Sequence, residues 1–264
     1  MTTVHRDDLL DSRYDRVRQA SYLALDVDNW QQANRLVSLF GEAVDGYKVG
    51  LQLFHGDGPT ALEQLNRLGK RVFLDVKLHD IPNTVAGALR AICQHNIEMV
   101  NVHASGGRKM LEAARQAVDD SVASGSRGDG GVGAGATGKP LLIAVTALTS
   151  LSDDALQEIG YRMPAKELVL RLAALTAETG LDGVVASAEE LPGIRANWPQ
   201  SSFEIVVPGT RLPGGDLHDQ VRTLSPGEAV RLGATRLVIG RAVTLATDPV
   251  QALLGVWENM LGNE

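Results

Sequence analysis

Between Asp75 and Thr84 the chain reads DVKLHDIPNT, which sets two carboxylates and an ammonium within six positions directly after the apolar run Val72-Phe73-Leu74. That run is rich in β-branched and aromatic residues and predicts a buried strand over 72–76. Strand side chains alternate faces, so Asp75 and Lys77 project to the same side with Phe73 beneath them. Asp80 follows the strand end, in a loop closed by Pro82. Charge on the inward face of a buried strand is costly unless it is paired or at work. A carboxylate–ammonium–carboxylate set suits proton transfer and the stabilisation of charge that develops during a reaction. Taken as residue types alone, D-x-K-x-x-D also fits an ion pair at the rim of a sheet.

The elements that must position these groups alternate along the chain. Short apolar runs predict strands at 22–27, 46–50, 72–76, 99–103, 141–147, 183–187, 203–207 and 236–239. Amphipathic stretches predict helices at 30–40, 59–68, 85–95, 108–124, 165–179, 226–232 and 249–261. Thr84 and Asp248 are placed as helix starts, the latter followed by Pro249, and Gly69, Gly180 and Gly233 stand where C-terminal caps belong. Strands separated by helices argue for parallel pairing and an α/β fold, a single (β/α)8 TIM barrel. Pattern alone leaves an open, doubly wound sheet as the alternative.

In such a barrel, functional groups gather where strands end. The polar residues there are Asp26, Lys48, Asp75, Lys77, His103, Thr149, Arg211 and Arg241. Each has a bland reading: Asp26 as a helix cap, Lys48 and Arg241 as surface charges, His103 as a partner for local backbone, Thr149 as a turn former. A second signal is Ile239-Gly240-Arg241, where glycine admits an anion close to the backbone and arginine can grip phosphate with two parallel hydrogen bonds. The strand-seven exit supplies Pro208-Gly209-Thr210-Arg211, then Gly214-Gly215-Asp216 and Gln220.

Composition narrows the function. A chain of 264 residues with net charge −7 and no Lys/Arg run argues against nucleic acid or an anionic membrane as partner. Cys93, the only cysteine, precludes a disulfide within the chain. The polar N-terminus lacks a signal-peptide core and no apolar run is long enough for a bilayer, so a cytoplasmic protein is expected. The segment GSRGDGGVGAGATG at 125–138 has phosphate-loop composition but precedes a strand and lacks a Lys-Ser/Thr ending. It is read as an insertion between the fourth helix and fifth strand, on the face opposite the strand ends.

The ten-residue string from Asp75 to Thr84 resembles the signature of the orotidine 5′-monophosphate decarboxylase family, whose members make UMP. The resemblance extends from about Tyr22 to Asp248, and covers one barrel domain within 1–264; the N-terminal extension 1–20 and the insertion 125–138 depart from it. It implies that Lys77 stabilises and protonates a carbanion at C6 of the pyrimidine without any cofactor, held by Asp75 and Asp80, with Lys48 completing the charge array. It further implies that Asp26 and Lys48 hold the ribose hydroxyls, Thr149 contacts the pyrimidine, and Arg211, Gln220, Gly240 and Arg241 hold the phosphate. Asp75 and Thr84 are also expected to contact substrate. Thr210 replaces a more usual apolar residue. In the family the second aspartate, here Asp80, comes from the neighbouring subunit, which implies a homodimer with shared sites. Two rivals share these residues: a Mg²⁺-dependent sugar-phosphate decarboxylase or aldolase, in which an acidic metal ligand would replace the cationic Lys48, and a nucleotide-binding barrel without catalysis.

Overall fold

The computed structural model describes residues 5–123, 139–212 and 224–262. Among them eight strands close into one parallel barrel in sequence order: β1 (Ser21–Ala24), β2 (Gly46–Gly50), β3 (Arg71–Leu78), β4 (Met99–His103), β5 (Leu141–Val145), β6 (Gly183–Val185), β7 (Glu204–Pro208) and β8 (Arg236–Ile239). The pairing of β1 with β8, Tyr22 opposite Val238, closes the ring and settles the question in favour of the barrel over an open sheet. The helices are α1 (Asp15–Gln19), α2 (Trp30–Phe40), α3 (Leu51–Arg67), α4 (Pro82–Ile92), α5 (Arg108–Ala123), α6 (Asp153–Glu158), α7 (Ala165–Glu178), α8 (Leu191–Asn197), α9 (Pro226–Arg231), α10 (Arg241–Thr244) and α11 (Pro249–Leu261). None is long and apolar enough to cross a membrane. The insertion 125–138 and Gln220 lie outside the described residues.

Two apolar layers hold the barrel. Outward-facing strand residues such as Leu23, Val49, Leu74 and Val100 pack under the helices. Inward-facing Tyr22, Ala24, Phe73, Met99, Ile143, Val206 and Val238 fill the interior. This alternation is why the strands read as nearly continuous apolar runs. The inner layer forms a floor, and the next inward residues on β2 and β3 are the charged Lys48 and Asp75.

Several boundaries differ from the sequence reading for identifiable reasons. Pro82 occupies the first turn of α4, so Ile81 is the flanking residue and Thr84 is not a helix start; its N–H bonds to Ile81 O at 3.0 Å. Asp248 does cap α11, accepting from the Gln251 N–H. Gly69, Gly180 and Gly233 follow their helices with positive φ of 68°, 74° and 107°, the backbone state that glycine adopts most easily. Helix α3 runs from Leu51 as two helical stretches joined at a kink at Asp57, just before Pro59, and the Asp57 carboxylate accepts from the Trp30 N–H at 2.9 Å. The N-terminal segment does more than extend the chain: Leu9, Tyr14 and Val17 are buried, and the Tyr14 hydroxyl donates to Glu258 on α11 at 2.6 Å.

Candidate active site

At the C-terminal ends of the strands the barrel opens into a cavity of about 180 Å³, whose wall includes Asp26, Lys48, Asp75, Lys77, Gly209, Arg211, Gly240 and Arg241. Its apolar base is the exposed edge of the inner layer, Ala24, Phe73, Val185, Val206 and Val238, with Pro208 at the side. Its wall combines an alternating charge array with a pair of guanidinium groups.

The array runs Asp26–Lys48–Asp75–Lys77. Lys48 Nζ lies 2.8 Å from Asp26 Oδ1 and 3.5 Å from Asp75 Oδ2. Lys77 Nζ lies 2.5 Å from Asp75 Oδ1. Register explains the meeting: Lys48 stands beside Phe73, and Asp75 beside Gly50, so the two charges are diagonal neighbours across β2 and β3. At Gly50 a Cβ would fall 2.8 Å from Lys48 Nζ and 3.4 Å from Asp26 Oδ1, so the glycine leaves the Lys48–Asp26 contact its room.

Burial and charge act in opposition on both central groups. Burial alone would push the Lys48 ammonium down, but Asp75 and Asp26 outweigh it and hold the group above the ordinary lysine value. Burial alone would raise Asp75, but Lys48, Lys77 and hydrogen bonds from Lys77 and Asn101 hold its carboxyl below the usual aspartate value. Lys48 and Asp75 are therefore both ionised at neutral pH.

Lys77 occupies unusual backbone. Its φ is +49°, the only positive value on a non-glycine residue among the described residues. The cause is a bulge: Leu74 pairs with Val100 but Leu78 with Val102, so Asp75, Val76 and Lys77 stand opposite Asn101 alone. Asn101, 0% exposed, spans that gap. Its Oδ1 accepts from the Lys77 N–H at 2.8 Å and its Nδ2 donates to Asp75 Oδ1 at 2.7 Å. The sequence reading missed Asn101. The available signal was its place two residues after inward-facing Met99, a buried amide on the inner face of a predicted strand.

In the same wall, Gly209 takes a φ of +77° where the chain leaves β7 and leads to Arg211. Arg211 is 9% exposed, and its Nε is buried without a hydrogen-bond partner among the described residues. Burial and then the Arg241 charge lower its pKa. Two guanidinium groups that repel each other in a recess form a receptor for an anion. Above Gly240 a Cβ would meet nothing within 4 Å, so the space beside both arginines is open.

Other expected residues fall outside the cavity of the single chain. Asp80 is exposed, and its Oδ1 accepts from the Ile81 N–H at 2.7 Å. Thr84 is exposed on the first turn of α4. Thr149 is half-buried in the turn beyond β5 and is not part of the wall. His103 is half-buried, its ring 5.4 Å from that of His79, and burial followed by the His79 and Lys77 charges lowers its pKa.

Residues 22–256 match the family model described as orotidine 5′-phosphate decarboxylase / HUMPS family. The chain is 46% identical over 232 residues to the orotidine 5′-phosphate decarboxylase of Moorella thermoacetica, covering 87% of each chain. It is 44% identical over 236 residues to that of Syntrophomonas wolfei, covering 89% of this chain and 94% of the relative. The crystal structure of orotidine 5′-phosphate decarboxylase from Lactobacillus acidophilus superposes with a TM-score of 0.75 at 35% identity, covering 90% of this chain and 97% of the other.

Proposed function

The chain belongs to the orotidine 5′-phosphate decarboxylase / HUMPS family, and on that premise we propose that it converts orotidine 5′-monophosphate to UMP and CO₂ as a cytoplasmic homodimer. The observation that carries this reading is one cavity whose wall holds both the alternating Asp26–Lys48–Asp75–Lys77 array and the arginine pair Arg211 and Arg241. A nucleotide that carries both a phosphate and a carboxylate matches that combination of groups.

Loss of CO₂ leaves an electron pair on C6 in the plane of the pyrimidine, out of conjugation with the ring carbonyls. Stabilisation must then come from a fixed positive charge. The Lys77 ammonium, held by Asp75, faces that charge as it develops and donates the proton that replaces CO₂. Asp26 and Lys48 hold the ribose hydroxyls. Arg211, Arg241 and Gln220 hold the phosphate, whose binding energy favours closure and the exclusion of water. Thr149 contacts the pyrimidine. Asp75 also crowds the substrate carboxylate, but repulsion of about 4 kcal/mol at 4 Å is small beside a barrier reduction of about 8–23 kcal/mol. Transition-state stabilisation by Lys77 is therefore the leading effect.

Asp80 and Thr84 enter this scheme through the dimer, reaching the cavity of the second subunit. Their exposure, beside an Ile81 that is 67% exposed, supports an interface on this face. The test supplies orotidine 5′-monophosphate with a chelator present and follows the loss of its ultraviolet absorbance. Turnover is expected; its absence, or near-normal turnover by Lys77→Ala, would refute the proposal. Abolition by the chelator would favour the metal-dependent rival.

A further inference from the structure

We infer that Asn101 is a positioning residue for the reaction, a two-sided clamp that fixes the Lys77 backbone in its left-handed turn and aims Asp75 at the Lys77 ammonium. The inference rests on the proposed role of Lys77 as proton donor.

The chemistry of the three groups leaves one orientation for the amide. A backbone N–H only donates, so the Asn101 oxygen must face Lys77. The ionised Asp75 carboxylate only accepts, so the Asn101 nitrogen must face it. Both contacts have good lengths, 2.8 and 2.7 Å. No rotation about the amide serves both partners any other way.

The bulge makes the first contact necessary. Where Leu74–Val100 pairing jumps to Leu78–Val102, the regular ladder offers Lys77 no facing backbone partner on β4. The Asn101 side chain supplies the acceptor instead. A non-glycine residue at φ +49° persists only where its surroundings over-determine it. Leu78 rejoins the ladder on one side, and Asn101 pins the turn itself. Without the clamp, β3 has reason to slide into regular pairing, which would redirect the Lys77 side chain.

The second contact orients the carboxylate. Asp75 Oδ1 receives both the Lys77 ammonium and the Asn101 amide, while Oδ2 faces Lys48. One fully buried side chain thus couples where Lys77 sits to what it is held by. A simple packing role would require neither polar contact, and an apolar residue of similar size would then serve equally well.

The test compares Asn101→Leu and Asn101→Asp with the wild type. In Asn101→Leu, kcat for orotidine 5′-monophosphate is expected to fall about 100-fold, the effect of an ångström-scale misplacement, with KM and UMP binding little changed. In Asn101→Asp, two adjacent carboxyls share one proton. The protonated form of the new carboxyl can still accept from Lys77 and donate to Asp75, so activity is retained at low pH and declines as pH rises, where the wild-type profile stays level. An Asn101→Leu variant with wild-type kcat, or an Asn101→Asp variant with the wild-type pH profile, would overturn the clamp. Should Asn101→Leu not fold, the nearly isosteric Asn101→Asp decides alone. Hydrogen exchange at the Lys77 amide needs no turnover: it should speed about tenfold in Asn101→Leu, which removes the acceptor of the Lys77 N–H. Unchanged exchange counts against the clamp even if the wild type decarboxylates nothing, whereas an inactive wild type with altered exchange sinks only the functional premise.

Discussion

Replacing Lys77 with alanine and, separately, with glycine separates chemistry from backbone strain at one position. Both variants lack the ammonium 2.5 Å from Asp75 and should lose decarboxylation entirely by absorbance assay, while UMP still binds. Their stabilities should differ. Alanine keeps a Cβ at φ +49°, which costs an L-residue roughly 1–2 kcal/mol. Glycine escapes that term but gives the unfolded chain more freedom, which takes back about 0.4–1 kcal/mol. The strain is the larger effect, so Lys77→Gly should be more stable than Lys77→Ala by about 0.5–1 kcal/mol. Urea unfolding at one fixed protein concentration measures the difference, since a dimer's midpoint depends on concentration. Equal midpoints, or a more stable alanine variant, would refute the claim that the bulge stores strain at Lys77.

Arg211→Ala and Arg241→Ala should each lower kcat/KM for the nucleotide yet leave decarboxylation of the nucleoside orotidine, which lacks the phosphate, unchanged; an equal loss on both substrates would remove the arginines from phosphate binding. The Asp75 carboxyl is held below its unfolded value near 3.9, so its pairing stabilises the fold above that pH and is lost as pH falls through the lower folded value. The Lys48 ammonium is held above its unfolded value near 10.4, so its contribution is complete below that pH and fades as pH rises through the folded value. Stability from these two groups should therefore stay level between about pH 4 and 10, and Lys48→Met should raise the acid edge of unfolding monitored by circular dichroism. At the N-terminal mouth of the barrel, Glu98 accepts from the Tyr22 hydroxyl at 2.6 Å and pairs with Arg71 at 2.8 Å. Glu98→Gln should cost about 1–3 kcal/mol in denaturant unfolding with kcat unchanged, because it weakens a buried charge pair that lies outside the cavity and leaves Arg71 with Asp45 as its counter-charge.

The sequence made the barrel and most of the charge array readable because both follow short-range rules. Short apolar runs set between amphipathic stretches marked the eight strands, and two-residue spacing put Asp75 and Lys77 on one face above Phe73. What escaped depends on contacts between distant segments. Asn101 matters only because β3 carries extra residues against β4, and a bulge leaves little trace in a strand without glycine or proline. Gly50 matters because Lys48 and Asp26 meet beside it across two strands. Thr84 was misplaced as a helix start because Pro82 opens the helix earlier. The N-terminal segment looked merely polar because its buried Leu9, Tyr14 and Val17 are scattered among charges.

On the proposed reading, Asp80 of a second subunit adds a carboxylate to the charge balance of the site. Within one chain the array holds two carboxylates and two ammoniums, and the phosphate end holds two guanidiniums. A bound phosphate approaching two negative charges offsets the guanidinium pair, so the substrate carboxylate enters an otherwise neutral array and carries its charge uncompensated. When CO₂ departs, that charge passes to C6 beside Lys77, and proton transfer discharges both. A second carboxylate beside Lys77 helps hold the ammonium in place until then, and in this chain Asp80 is exposed and not part of its own cavity's wall. Mixing the inactive Lys77→Ala and Asp80→Ala variants should therefore restore activity, because each mixed dimer has one doubly damaged site and one intact site. Up to half of the sites in such dimers become competent, a recovery far above either parent. No recovery after exchange is verified by mass spectrometry would place Asp80 in its own subunit's site, or in none.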